Sequence, residues 1–142
     1  MKSARTLITF CLLLTATTVF AQIENQRLMK VDVPFAFDVE DHFLPAGEYT
    51  IFTVTPEWMI RIVSADGKHS AVITTLPNYA NEPSTKSRLV FHKYGNEYFL
   101  EQVWTAGENL ARNPLSGKRA MELASGGPLP QTTTIIALAT GR

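Results

Sequence analysis

The sequence predicts an all-β fold, mainly antiparallel, with about seven strands in a sandwich or small barrel and one short C-terminal helix around 116–124. Three observations predict it. Apolar residues recur with period two along much of the chain, which marks half-buried strands. Turn signals at Pro45-Ala46-Gly47, Asp66-Gly67 and Gly95-Asn96 separate these segments at short spacing. No long amphipathic helix lies between them, which disfavours a parallel α/β sheet.

The first element is an address, not a strand. Lys2 and Arg5 form a positive start, Leu7 to Leu14 an apolar segment, and Val19-Phe20-Ala21 a cleavage site. That is the layout of a secretory signal peptide over 1–21, with cleavage after Ala21. The apolar run is shorter than the ~20 residues of a spanning helix and is rich in threonine. Cys11 follows Phe10 inside this run, which does not suit a lipidated cysteine. Residues 22–142 are then expected to form one β-rich domain, with core strands over 28–104, a helix and linker region over 105–131, and a last strand over 132–139.

Leu28 to Val39 is the clearest strand: Val31, Val33, Phe35, Phe37 and Val39 alternate with Asp32, Pro34, Ala36 and Asp38. Pro34 lacks an N–H and points to an edge or a bulge. Leu44-Pro45-Ala46-Gly47 is a turn. Glu48–Val54 is the next strand, with Tyr49, Ile51 and Thr53 on one side. Thr55-Pro56-Glu57 breaks it, and Trp58–Ser64 follows. Asp66-Gly67 signals a type I′ hairpin, and His69–Leu76 returns. Residues 77–86, with Asn78, Asn81, Pro83 and Ser84, read as a loop of about ten residues.

Ser87–Tyr94 and Glu97–Trp104 are strands joined by Gly95-Asn96. Tyr98, Leu100 and Trp104 share one phase, Phe99 and Val103 the other. Thr105 to Asn113 has a helix-compatible composition and stops at Pro114. Ser116 is the expected cap of a helix that Ser125-Gly126-Gly127 ends. Lys118 and Arg119 oppose its dipole. Pro128 and Pro130 mark a linker before the β-branched run at Thr132–Ala139.

Composition bounds the chemistry. The chain has 142 residues, 45% hydrophobic and 18% charged, with 13 basic and 13 acidic side chains. Zero formal charge disfavours a basic nucleic-acid binder. Loss of 21 of the 142 residues leaves 121, and removes two of the 13 basic side chains and the single cysteine. The exported chain is then slightly acidic and without a disulfide.

No histidine pair has metal-ligand spacing. His42 stands near Asp38, Glu40 and Asp41, a grouping best read as a solvated acidic turn, and no metal or cofactor is expected. Ser64, Asp66 and His69 are close but straddle a hairpin, and no nucleophile elbow is present. Catalytic residues are therefore not assigned. Thirteen carboxylates make some pair inevitable, so a glycosidase pair cannot be inferred from their presence. Lys86, Arg88 and Lys93 form a weak basic cluster beside Phe91, too little for nucleic acid. The aromatic residues Trp58, Trp104, Tyr49, Tyr79, Tyr94 and Tyr98 are able to stack on sugars or line a small-molecule pocket, but a β-core is the better reading for most of them. Tyr79 stands in a polar loop, Trp104 ends a strand, and His92 has no evident packing reason. His92, Tyr79 and Trp104 are thus the candidate ligand-binding residues.

Val33-Pro34-Phe35-Ala36-Phe37, Leu44-Pro45-Ala46-Gly47-Glu48-Tyr49, Ser64-Ala65-Asp66-Gly67-Lys68 and Leu89 to Gly95, followed by Tyr98-Phe99-Leu100 and Val103-Trp104, form an ordered pattern over 28–124. It is similar to a family of small, signal-peptide-bearing exported proteins of acidobacterial type. The resemblance implies a small β-rich exported domain, and no activity, cofactor or catalytic residue.

The expected function is a non-enzymatic binding or structural module of the periplasm or cell exterior. A protein, small-molecule or glycan partner is expected, and neither nucleic acid nor, after cleavage, a membrane. Self-association through an edge strand such as 28–39 is one mode. A small-ligand carrier with a barrel interior and a glycan-acting enzyme are the alternatives.

Overall fold

The computed structural model describes residues 26–127 and 129–137. The expected signal peptide, its expected cleavage site and positions 138–139 of the expected last strand lie outside these residues. In chain order the elements are β1 (Arg27–Val33), β2 (Phe37–Val39), β3 (His42–Leu44), β4 (Gly47–Val54), β5 (Met59–Ser64), β6 (Ser70–Tyr79), β7 (Arg88–Tyr94), β8 (Glu97–Trp104), β9 (Leu110–Pro114), α1 (Lys118–Gly126) and β10 (Gln131–Ile136). The fold is all-β with one short helix, as the periodicity requires. The strands number ten among the described residues, not seven.

The strands pair in the order β1-β4-β5-β6-β9-β8-β2-β3, and β7 lies between β8 and β10. Every pair is antiparallel except β2 with β8, which meet at Asp38 and Phe99 in parallel. The path is open, with β1 and β3 at its ends, so the strands form two layers and not a closed barrel. One layer is β1-β4-β5 and the first half of β6. The other holds the second half of β6 with β9, β8, β7 and β10. Strand β6 changes layer between Thr74, which pairs with Met59, and Thr75, which pairs with Pro114.

The alternation read from sequence sets the core. Val31, Val33, Tyr49, Ile51, Ile60, Ile62 and Ile73 face inward from the first layer, and Phe37, Leu89, Phe91, Leu100 and Val103 from the second. Fully burying each such aliphatic or aromatic side chain contributes roughly 1.5–3 kcal/mol. Phe37 joins the layers, with its ring edge-on to Tyr49 at 5.4 Å and to Phe91 at 5.3 Å. The Tyr49 hydroxyl donates to the Pro45 carbonyl four residues upstream, so the Leu44-to-Tyr49 motif is a turn tied down by its own tyrosine.

Several local expectations are corrected. The 28–39 strand breaks at Pro34 into β1 and β2, because proline removes a ladder donor and restricts the preceding residue. Residues 77–79 continue β6 instead of opening a loop. Their backbone finds partners on β9, out of reach of any local signal. The helix-compatible run before Pro114 contains β9, a case of tertiary pairing overriding weak propensity. The helix spans 118–126, and Ser116 does not cap it: Gly117 is the cap residue. Asp41, distant in sequence, accepts from the Lys118 N–H at 2.9 Å instead.

Strand β8 carries a bulge. Val90 faces Gln102 while Phe91 faces Leu100, leaving Glu101 as an extra residue. The insertion inverts side-chain phase. Leu100 and Val103 therefore both reach the core, and the simple two-phase reading of Tyr98 to Trp104 fails there. The Asp66-Gly67 turn is also different in kind. Only Gly67 takes a positive φ, 71°, and Gly67 N–H closes on the Ser64 carbonyl at 2.9 Å, so the loop is a longer hairpin and not type I′. Gly95, with φ 60°, does start a two-residue turn.

Candidate functional site

The three residues singled out from sequence lie apart. His92 and Trp104 both point outward from the β7–β8 ribbon, since Phe91 and Val103 point inward. His92 faces Phe99, whereas Trp104 faces Arg88, four positions along β7. That is ~13 Å at 3.3 Å per residue. Trp104 is only 8% exposed. Its indole N–H donates to Gln102 Oε1 at 2.9 Å, and the Arg88 guanidinium lies 4.8 Å over its ring. His92 Nδ1 is 3.7 Å from Glu101 Oε2, the bulge residue. Tyr79 ends β6 on the other side of β9 and is 70% exposed.

The Ser64, Asp66 and His69 grouping is a turn. The Ser64 hydroxyl donates to Asp66 Oδ1 at 2.5 Å, and the Lys68 N–H donates to the same oxygen at 3.0 Å. These bonds hold the Asp66 carboxyl below the usual carboxylate range. His69 reaches Ser64 Oγ through its backbone N–H at 3.0 Å, not through its imidazole. A general base must touch the nucleophile with its ring, so this geometry performs no triad chemistry.

The acidic cluster at 38–41 is likewise employed. Glu40 Oε1 accepts from the Thr74 N–H, and Asp41 Oδ1 from the Lys118 N–H. Asp38 is half-buried. Burial first, and then the nearby Glu97 charge, raise its carboxyl above the ordinary 3.8. Among the described residues no group of three or more His, Cys, Asp or Glu side chains is placed to hold a metal ion.

The geometry instead builds a cleft where the two layers part, beside the corner of β6. Glu57, Trp58, Thr75, Pro77, Leu110 and Arg112 line an open cleft of about 150 Å³. Trp58 sits in the β4–β5 turn, where Thr55-Pro56 ends the ladder. Its carbonyl accepts from the Thr75 N–H at 2.7 Å and the Thr75 hydroxyl at 2.8 Å. The backbone is therefore held while the indole remains 58% exposed. Thr75 and Pro77 project from one phase of β6, and Leu110 and Arg112 from one phase of β9, to which β6 is paired.

Arg112 is 9% exposed. Its Nη1 donates to Glu108 Oε2 at 2.8 Å. Its Nε is buried and has no hydrogen-bond partner among the described residues. A buried guanidinium with unmet donors is costly unless it gains partners. Tyr79 pairs in register with Leu110 and shares the phase of Thr75 and Pro77, so it extends the same aromatic and apolar edge. From sequence Trp58 is one of six aromatic residues able to line a pocket but not one of the three candidates, and Arg112 is not singled out at all. Trp58 reads from sequence as the start of a strand, although the Thr55-Pro56-Glu57 break beside it is a signal for exposure. Arg112 stood in a run with helical composition, so its strand phase was hidden.

Among the described residues no helix is long and apolar enough to cross a membrane. No family model, curated protein or solved structure matches the chain.

Proposed function

We propose that this chain is an exported β-domain of the periplasm or cell exterior that acts by binding, without catalysis. The observation that carries this reading is the Trp58 cleft, where a bare indole on a pinned turn stands with the buried, incompletely paired Arg112. Sites of this kind combine apolar walls with a few convergent polar groups. The Ser64 hydroxyl and the Asp66 carboxylate are engaged in a hairpin, and the carboxylate of Glu108 is engaged by Arg112. A carrier built on a barrel interior fits less well, because the described sheet is open and its facing sides are filled by the core.

The test is a binding screen of the purified chain starting at Gln22, using saccharides, short peptides and small apolar compounds. Melting temperature and acrylamide quenching of Trp58 are the readouts. At least one class is expected to raise the melting temperature and protect Trp58. A screen in which no class does either overturns the reading. Intact mass of the exported protein tests cleavage after Ala21.

Self-association is the second mode. Strand β1 ends the pairing path with β4 as its one ladder partner among the described residues, and β10 lies beside it without pairing. An open edge can pair with another chain. Light scattering behind size exclusion is expected to show a concentration-dependent dimer. A strict monomer at high concentration removes this mode.

A further inference from the structure

We propose that the Trp58 cleft takes a neutral saccharide unit, an assignment that rests on reading the domain as a binding module. A pyranose ring has an apolar C–H face and a rim of hydroxyls. It is recognised by a flat aromatic surface with one free face, together with planar groups that exchange two hydrogen bonds with adjacent hydroxyls.

The cleft supplies both. The Trp58 indole is 58% exposed, while its turn is fastened to Thr75 by two hydrogen bonds, so the platform is bare and its base is held. The Glu57 carboxylate offers two acceptor oxygens at the cleft wall, and the Arg112 guanidinium offers donors beyond the one given to Glu108. Pro77 and Leu110 supply the apolar floor. Tyr79, 70% exposed and in register with Leu110, gives a second aromatic surface for a neighbouring sugar unit.

Charge decides between ligand classes. Glu57 lines the cleft and Glu108 is paired with Arg112, so two carboxylates accompany one guanidinium, and the resulting negative balance disfavours carboxylated or phosphorylated ligands. A quaternary ammonium would prefer a cage of several aromatics, but only one aromatic residue lines the cleft. A polyhydroxylated neutral ligand satisfies donors and acceptors of both signs without a change in net charge.

The chain has two tryptophans, and Trp104 is buried with its N–H bonded, so acrylamide quenching reports chiefly on Trp58. The probes are cellotriose, maltotriose, xylotriose and chitotriose, with trigalacturonate and choline as charged comparators. At least one neutral trisaccharide is expected to protect Trp58 saturably below about 10 mM. In a thermal-shift titration, Trp58→Ala is expected to abolish the response of the wild type. Glu57→Gln should weaken binding about tenfold, and Trp58→Phe should retain part of it. Both positions are exposed, so the variants should melt as cooperatively as the wild type. The proposal is overturned if the neutral sugars fail, if Trp58→Ala binds them unchanged, or if a charged comparator binds better. Failure of the sugars with a peptide or apolar compound still protecting Trp58 removes the saccharide and leaves the binding module. Failure of every class removes both.

Discussion

The Glu40 carboxylate accepts a hydrogen bond from the Thr74 N–H at 3.0 Å, across 34 residues of sequence. Thr74 is the last residue of β6 paired in the first layer, so Glu40 supplies an acceptor where the strand leaves one sheet for the other. Glu40 holds φ at 53° in the β2–β3 turn, an uncommon conformation for a residue with a side chain. Its neighbour Asp41 accepts from the first N–H of α1, and Gly117 packs on the Glu40 carbonyl. One two-residue turn therefore joins the sheet corner to the helix. Removing the Glu40 acceptor is expected to cost about 1.5–3 kcal/mol, as for other hydrogen bonds to charged groups. Glu40→Ala should lose the most, Glu40→Gly less because it relieves the positive φ, and Glu40→Gln least. Urea melts would show this order, and equal stability of all three would refute the role.

Gly117→Ala should release the helix. A Cβ there would overlap the Glu40 carbonyl, whereas a Cβ on Gly126 meets nothing within 4 Å. The first substitution is expected to cost about 1–3 kcal/mol, the usual range for overpacking. Gly126→Ala should be neutral or slightly stabilising. Limited proteolysis within 118–126 would rise only in the first variant. Equal protection in both would count against tight docking.

Tyr49→Phe isolates one hydroxyl. The ring is buried against Phe37, and the hydroxyl bonds the Pro45 carbonyl. Loss of that bond should cost about 1–2 kcal/mol while leaving the core intact. A variant as stable as the wild type in urea would mean that the turn holds without it.

Acid should act on two carboxylates in opposite senses. The Arg119 guanidinium, 2.7 Å away, holds the Glu97 carboxyl below its ordinary 4.5. Its contribution is present above that value and is lost as pH falls through the lowered one. This pair is solvent-exposed, so the effect is small. Asp38 is raised by burial and by Glu97, so its folded form resists ionisation. Stability from Asp38 is full below its ordinary 3.8 and is lost as pH rises through the raised value. Asp38→Asn should therefore melt higher than the wild type at neutral pH and match it at pH values well below 3.8. A lower melting temperature at neutral pH would contradict the assigned cause.

His69→Ala should be nearly neutral in stability, because only the backbone N–H of this residue reaches Ser64. Ser64→Ala removes the acceptor of that bond and the donor to Asp66. It should cost more than His69→Ala, within the ~0.5–1.5 kcal/mol of ordinary hydrogen bonds. Reversal of that order in thermal melts would give the imidazole a role that the geometry does not assign.

The β-class, the apolar face of β1, the two sides of β4 and the Gly95-Asn96 turn were legible because strand periodicity and turn chemistry are local. Residues 77–79 and 110–114 were illegible for the converse reason: each is extended because the other pairs with it. The bulge at Glu101 was invisible to a period-two reading, since one inserted residue changes phase without changing composition. The candidate residues divided in the same way. Tyr79 was noticed for its polar surroundings and adjoins the cleft, whereas Trp58 and Arg112 come together only once β6 turns from one layer to the other.

Alternating apolar residues and turn dipeptides were sufficient to set an all-β chain and the inward face of its long strands, because a side chain's phase follows from its own strand. Tertiary structure alone decided the open two-layer arrangement, the acidic turn at Glu40-Asp41 as a junction, and the meeting of Trp58 with Arg112. Each of these depends on backbone donors and acceptors satisfied by partners tens of residues away, and no local pattern encodes which distant partner will be there.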